Sequence, residues 1–208
     1  MRTRIALVCA IALVAASCSA SSLRPDERAG YNRIPSPDVS SAEFIDYSTV
    51  STGEPFAPVA NERELLLMYF GYLSCPDVCP TTMAEISSAL DLMPEDQADR
   101  IVVGMVSVDP ERDEGPTISK YLDAFFERHH GLLAPSGAAL DEAAKLFGVL
   151  YEVEEHDAGT TAYDVGHSAT VFVVDEEGLI IWEFGFSADR EPALLADSLE
   201  SVLHERYG

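Results

Sequence analysis

Residues 64–80 read ELLLMYFGYLSCPDVCP. The stretch opens with a near-continuous apolar run from Glu64 to Tyr72, of strand length, as expected of a strand buried on both faces. It closes on two cysteines spaced i and i+4, Cys75 and Cys79, and on Pro80, which suits the first position of a helix predicted over Pro80 to Leu92. A buried strand running directly into a helix begins an α/β unit. Residues Ile101 to Val108 (IVVGMVSV) supply a second strand of the same kind.

Farther along, Pro116 to Arg128 again opens with proline and keeps Ile118, Tyr121, Leu122, Phe125 and Phe126 on one helical side. A short helix is predicted over Leu140 to Val149. Ala169 to Val174 (ATVFVV) and Leu179 to Phe184 (LIIWEF) flank a turn at Asp175 to Gly178 and predict a hairpin, which a closing helix from Glu191 to His204 follows. This order predicts a three-layer α/β fold with a central mixed sheet, formed as one domain over residues 40–208. Hydrophobic residues make up 47% of the chain, too many for a disordered one, yet no apolar run reaches the roughly 20 residues of a membrane-spanning helix.

The N-terminus reads differently. Residues 1–18, MRTRIALVCAIALVAASC, place Arg2 and Arg4 before an apolar stretch that gives way to small residues, the pattern of an export signal. Ala15-Ala16-Ser17-Cys18 resembles the lipobox of bacterial lipoproteins, with Ala15 where that motif prefers Leu. Cys18 is therefore the candidate lipidation site, with an uncleaved anchor or simple secretion as alternatives. All three put the domain outside the cytoplasm, and the lipid reading fixes it to the outer face of the cytoplasmic membrane. Cleavage would discard Cys9 and leave Cys75 and Cys79 as the only side-chain thiols, one pair and no disulfide framework. Residues 19–39, rich in Ser, Pro and charge, are expected to form a flexible tether. The net charge of -23 excludes an electrostatic nucleic-acid binder, because such a surface repels a phosphate backbone; a solvated coat accounts for it without a partner.

The chemistry concentrates at Cys75 and Cys79. If the turn between them is helical, both sulfurs lie on one face and reach a common metal ion, and the helix N-terminus favours thiolate. Soft sulfur ligands point to Cu(I) or zinc, and a histidine suits either as third ligand. Of the five histidines, His129 and His130 fall at a predicted helix end, His156 in an acidic loop and His204 in the last helix, all as surface residues. His167 differs in running directly into a buried-type strand.

Three stretches, GYLSCPDVCP (71–80), VSVDPERD (106–113) and YDVGHS (163–168), resemble in order the signature motifs of the Sco/SenC family of thioredoxin-like cytochrome c oxidase assembly proteins. The resemblance spans roughly residues 40–208 and implies a thioredoxin-like fold. It also implies copper held by Cys75, Cys79 and His167, as Cu(I), with Cu(II) wanting a further ligand that the sequence does not identify. Gly166 stands where the family commonly has Asp, so outer support for His167 has to come from elsewhere, Asp164 being the candidate. Leu73-Ser74 stands where the family commonly has Thr-His. Asp109 and Arg112 read as an Asp-Pro turn with a local ion pair.

The implied function is a copper metallochaperone that receives the metal from an unidentified donor and delivers it to the binuclear copper site of cytochrome c oxidase subunit II. The alternative is a thiol-disulfide oxidoreductase acting on that site's cysteines through Cys75 and Cys79. Against it, thioredoxin-type reductases place a cis-proline opposite their cysteines, and His167-Ser168-Ala169-Thr170 has none. A thiol peroxidase would explain one reactive cysteine but not the pair with His167.

Overall fold

The two apolar runs become adjacent, fully buried strands. In the computed structural model, which describes residues 28–185 and 191–208, β3 (Leu65–Gly71) and β4 (Ile101–Ser107) run parallel in register from Leu65↔Ile101 to Gly71↔Ser107. Around them a seven-stranded sheet forms in the order β2-β1-β5-β4-β3-β8-β9. β1 is Phe44–Asp46, β2 Glu54–Phe56, β5 His129–Leu133, β8 Val171–Val174 and β9 Ile180–Phe184. β5 continues the parallel set beside β4; β1 and β8 pair antiparallel with β5 and β3, so the sheet is mixed as expected.

Alternation along β3 sorts the layers. Tyr69 points toward α1 (Val78–Leu92), where its hydroxyl meets Cys79, and α5 (Pro192–Tyr207) packs on α1. Phe70 points the other way, into an aromatic cluster with Phe147 of α4 (Gly137–Phe147) at 5.0 Å and with Phe172 and Phe44 at 6.4 Å. Helices thus cover both faces, the three-layer arrangement read from the sequence. The short α2 (Glu95–Ala98) links α1 to β4.

α3 (Gly115–Leu122) lies against β5 at close range, because a Cβ on Gly131 would come within 2.6 Å of the Ser119 backbone. This helix ends six residues short of the predicted Arg128. Phe125 and Phe126 both turn back to the Leu122 carbonyl, and the chain enters β5 at His129. His129 and His130 are therefore strand residues, not helix-end surface residues. His130 bonds Asp46 on β1 at 2.7 Å, and His129 meets the Ser119 hydroxyl at 3.1 Å.

A second, two-stranded sheet stands apart from the first. β6 (Tyr151–Val153) pairs antiparallel with β7 (Val165–His167), Tyr151 opposite His167, with residues 154–164 as the connecting loop.

The tether expected over 19–39 does not describe residues 28–39. Ala29 and Val39 are buried, and main-chain bonds join Tyr31 to Glu183, Val39 to Gly178 and Pro37 to Ile180. A proline-rich segment lacking apolar period is compatible with lying along an outer strand, where few of its N–H groups are asked to pair. The predicted signal, Cys18 and the first part of the tether lie outside the described residues. Among the described residues no helix is long and apolar enough to cross a membrane.

Candidate metal centre

β3 delivers the chain through Tyr72 and Leu73 to Cys75, and α1 begins at Val78, so Cys79 occupies the first helical turn while Cys75 precedes the helix. The two cysteines therefore do not share a helical turn. What brings them together is the Cys79 N–H, which donates to the Cys75 sulfur at 3.3 Å and so gives a free helix-end donor a partner. Pro80, at the third helical position rather than the first, has no N–H to leave unpaired there.

His167 arrives from the other sheet, its Nε2 3.4 Å from the Cys79 sulfur. Its Nδ1 lies 3.1 Å from the Ser168 carbonyl oxygen, and the Phe70 main chain is a further partner of the ring; with the proton on Nδ1, donated to Ser168, the Nε2 lone pair faces the thiols. That carbonyl supplies the outer support sought from Asp164, which is exposed and ties its main chain to Glu154 instead. One ligand atom from each of Cys75, Cys79 and His167 lies within 4.8 Å of the others, and both cysteines are free thiols. The group opens to a cleft of about 480 Å³ walled by Tyr72, Pro76, Val78 and Val165.

The electrostatics differ from expectation. Burial pushes the Cys79 thiol up to about 12, so the helix N-terminus does not make it a thiolate in the metal-free protein. Burial also lowers the pKa of His167, which keeps the imidazole neutral and ready to donate. The centre is thus a pair of soft sulfurs and a neutral nitrogen, a donor set suited to Cu(I) or zinc once the thiol protons leave.

Two tyrosines that the sequence reading passed over line this centre. The Tyr69 hydroxyl donates to the Cys79 sulfur at 3.6 Å, and the rings of Tyr69 and Tyr72 meet the His167 ring edge-on at 5.9 and 5.6 Å. The available signal was a tyrosine inside an otherwise apolar strand, whose hydroxyl needs a buried partner. Gly71 makes room for Tyr69 and Cys79: a Cβ there would stand 2.6 Å from the Tyr69 ring and 2.9 Å from the Cys79 sulfur.

The loop after β4 supports the cysteine approach. Asp113 accepts from the Leu73 N–H at 3.1 Å and from the Ser107 hydroxyl at 2.6 Å. The Asp109–Arg112 ion pair read from the sequence is present. His156 is not one of the converging ligands but lies in the acidic loop, stacked on Tyr163, and His204 is exposed on α5.

A family model described as SCO1/SenC matches residues 42–204. The chain belongs to the SCO1/SenC family. A SCO2-like protein of Rickettsia prowazekii is 30% identical over 142 residues, 68% of this chain and 66% of that protein, so the match spans just under two thirds of the relative's length. Among solved structures, the apo Sco1 protein of Thermus thermophilus is 31% identical, with a TM-score of 0.68 over 83% of this chain and 95% of that one. A copper-bound ScoI of Bradyrhizobium japonicum is 29% identical, with a TM-score of 0.61 over 79% and 96%. The thioredoxin-like SCO1/SenC fold anticipated from three short motifs therefore extends over the whole domain.

Proposed function

We infer that this chain is a copper metallochaperone whose cargo is held by Cys75, Cys79 and His167. The observation that carries the reading is the convergence of those donor atoms within 4.8 Å from two distant parts of the chain, the 75–79 stretch and His167. Two sulfurs and one neutral imidazole match the preference of Cu(I) for soft ligands, and a ScoI relative holds copper. Zinc would accept the same donors, but family membership favours copper. Delivery runs to the copper site of cytochrome c oxidase subunit II, from a donor protein outside the cytoplasm. Cys18 carries the lipid that keeps the domain at the outer face of the membrane.

The second reading, thiol-disulfide exchange, draws on the free thiols and on the Cys79 N–H bond to the Cys75 sulfur, which holds the pair close. His167 separates the two. It can ligate a metal but has no necessary part in joining Cys75 to Cys79. Replacing His167 by Ala is expected to weaken Cu(I) binding and impair oxidase copper-site assembly while the cysteine pair still oxidises and reduces. Full oxidase assembly by His167→Ala, with assembly lost in either cysteine variant, would make thiol exchange the function.

A further inference from the structure

β7, which carries His167, is not part of the seven-stranded sheet. No ladder of main-chain hydrogen bonds therefore fixes the histidine against α1 and Cys79. On its C-terminal side β7 is anchored where the chain enters β8 at Val171, beside β3; its N-terminal side needs another tie.

Arg112 is placed to supply it. Its Nε bonds Asp109, and its Nη1 donates to the carbonyl oxygens of Thr161 and Tyr163, both at 3.0 Å. The guanidinium also lies 3.7 Å over the Tyr163 ring, whose other face is stacked on His156 at 3.7 Å. The Tyr163 hydroxyl closes the loop by donating to Asp109 at 2.7 Å. Asp109 is almost fully buried two residues past the end of β4, its N–H bonded to the Ser107 hydroxyl of that strand. One cation thus ties the sheet to the residues that lead into β7, four positions before His167. The same guanidinium stands 5.7 Å from the Tyr72 ring, which in turn abuts the His167 ring.

We propose that Arg112 is a positioning residue for the metal centre, clamping the β6–β7 arm so that His167 faces the two thiols. The inference rests on the reading of His167 as a ligand. An Asp-Pro turn with a local ion pair would need only the bond to Asp109; the two carbonyl bonds and the stacking bind a segment 49 and 51 residues away. A planar fork can hold a carboxylate and two carbonyls together, whereas the single ammonium of lysine keeps the charge without that geometry.

The test is a double-mutant cycle in the reduced protein, reading Cu(I) affinity by competition with a chromophoric Cu(I) chelator. Arg112→Lys should weaken binding by about 10- to 100-fold, as expected on losing an outer partner of a ligand. In a His167→Ala background it should add no loss, and the Cys75–Cys79 midpoint potential should stay unchanged. In the metal-free protein, amide exchange at Val165 to Ser168 should accelerate. Tyr163→Phe, which removes one hydroxyl, should give a smaller loss of the same pattern and stands in should the lysine variant fold poorly. Unaltered affinity and exchange in both variants would overturn the clamp, as would an equal loss with His167 absent, which would mean an action through charge or the thiols. If His167→Ala itself binds as tightly as the native protein, the ligand assignment fails first and the clamp with it.

Discussion

The Nε2 atom of His167 lies 3.4 Å from the Cys79 sulfur, although 88 residues separate them in the chain. Everything distinctive about the centre follows from how that contact is built: a buried thiol on a helix that packs on the sheet, and a histidine on an arm outside it. Burial holds the thiol protonated and the imidazole neutral.

Copper binding should therefore be coupled to proton release. The Cys79 pKa of about 12 lies far above neutral pH, so a metal must displace its proton. Affinity for Cu(I) is expected to fall by about tenfold per pH unit for each proton displaced as pH drops from 8 to 6.5. His167 adds less to this slope than an ordinary histidine would, because burial lowers its pKa. Competition titrations at several pH values check this, and an affinity independent of pH would contradict it.

Gly71→Ala probes the packing behind the thiol. The new methyl would overlap the Tyr69 ring at 2.6 Å, and a ring wedged in a fully buried strand has nowhere to go. A stability loss of about 1 to 3 kcal/mol is expected, with weakened Cu(I) binding as Cys79 is displaced. Thermal unfolding and a copper titration read both effects; native values in both would show that the site relaxes freely.

How much of this was legible beforehand depended on the kind of signal. β3 and β4 announced themselves because they are near-continuous apolar runs broken only by the Tyr69 hydroxyl and Ser107, whereas β5, His-His-Gly-Leu-Leu, carries two polar residues of five and is held by main-chain pairing to β4 and β1. β7 is only three residues long and gave no periodicity at all. At the site, spacing marked Cys75 and Cys79; running into a buried-type strand set His167 apart from the other histidines, but the likeness to a known motif was needed to make it a ligand. The expected thiolate failed on magnitude. A charge near a helix end is worth about 0.3 to 1 kcal/mol, while the rise of Cys79 from 9.0 to about 12 corresponds to roughly 4 kcal/mol against ionisation. Arg112 was read as half of a local pair because its other partners lie some fifty residues away, in a loop without pattern.

Location is tested at Cys18. Cys18→Ser should release the domain from the membrane fraction and leave copper binding intact, since Cys18 is not one of the three ligands. Retention of the variant in the membrane would favour an uncleaved anchor over residues 5–17.

The most direct test of the account is copper stoichiometry in the reduced domain, measured alongside its thiol count. One Cu(I) per chain is predicted, with tight binding abolished by either Cys75→Ser or Cys79→Ser. Undiminished affinity in either serine variant would contradict the copper centre built from Cys75, Cys79 and His167.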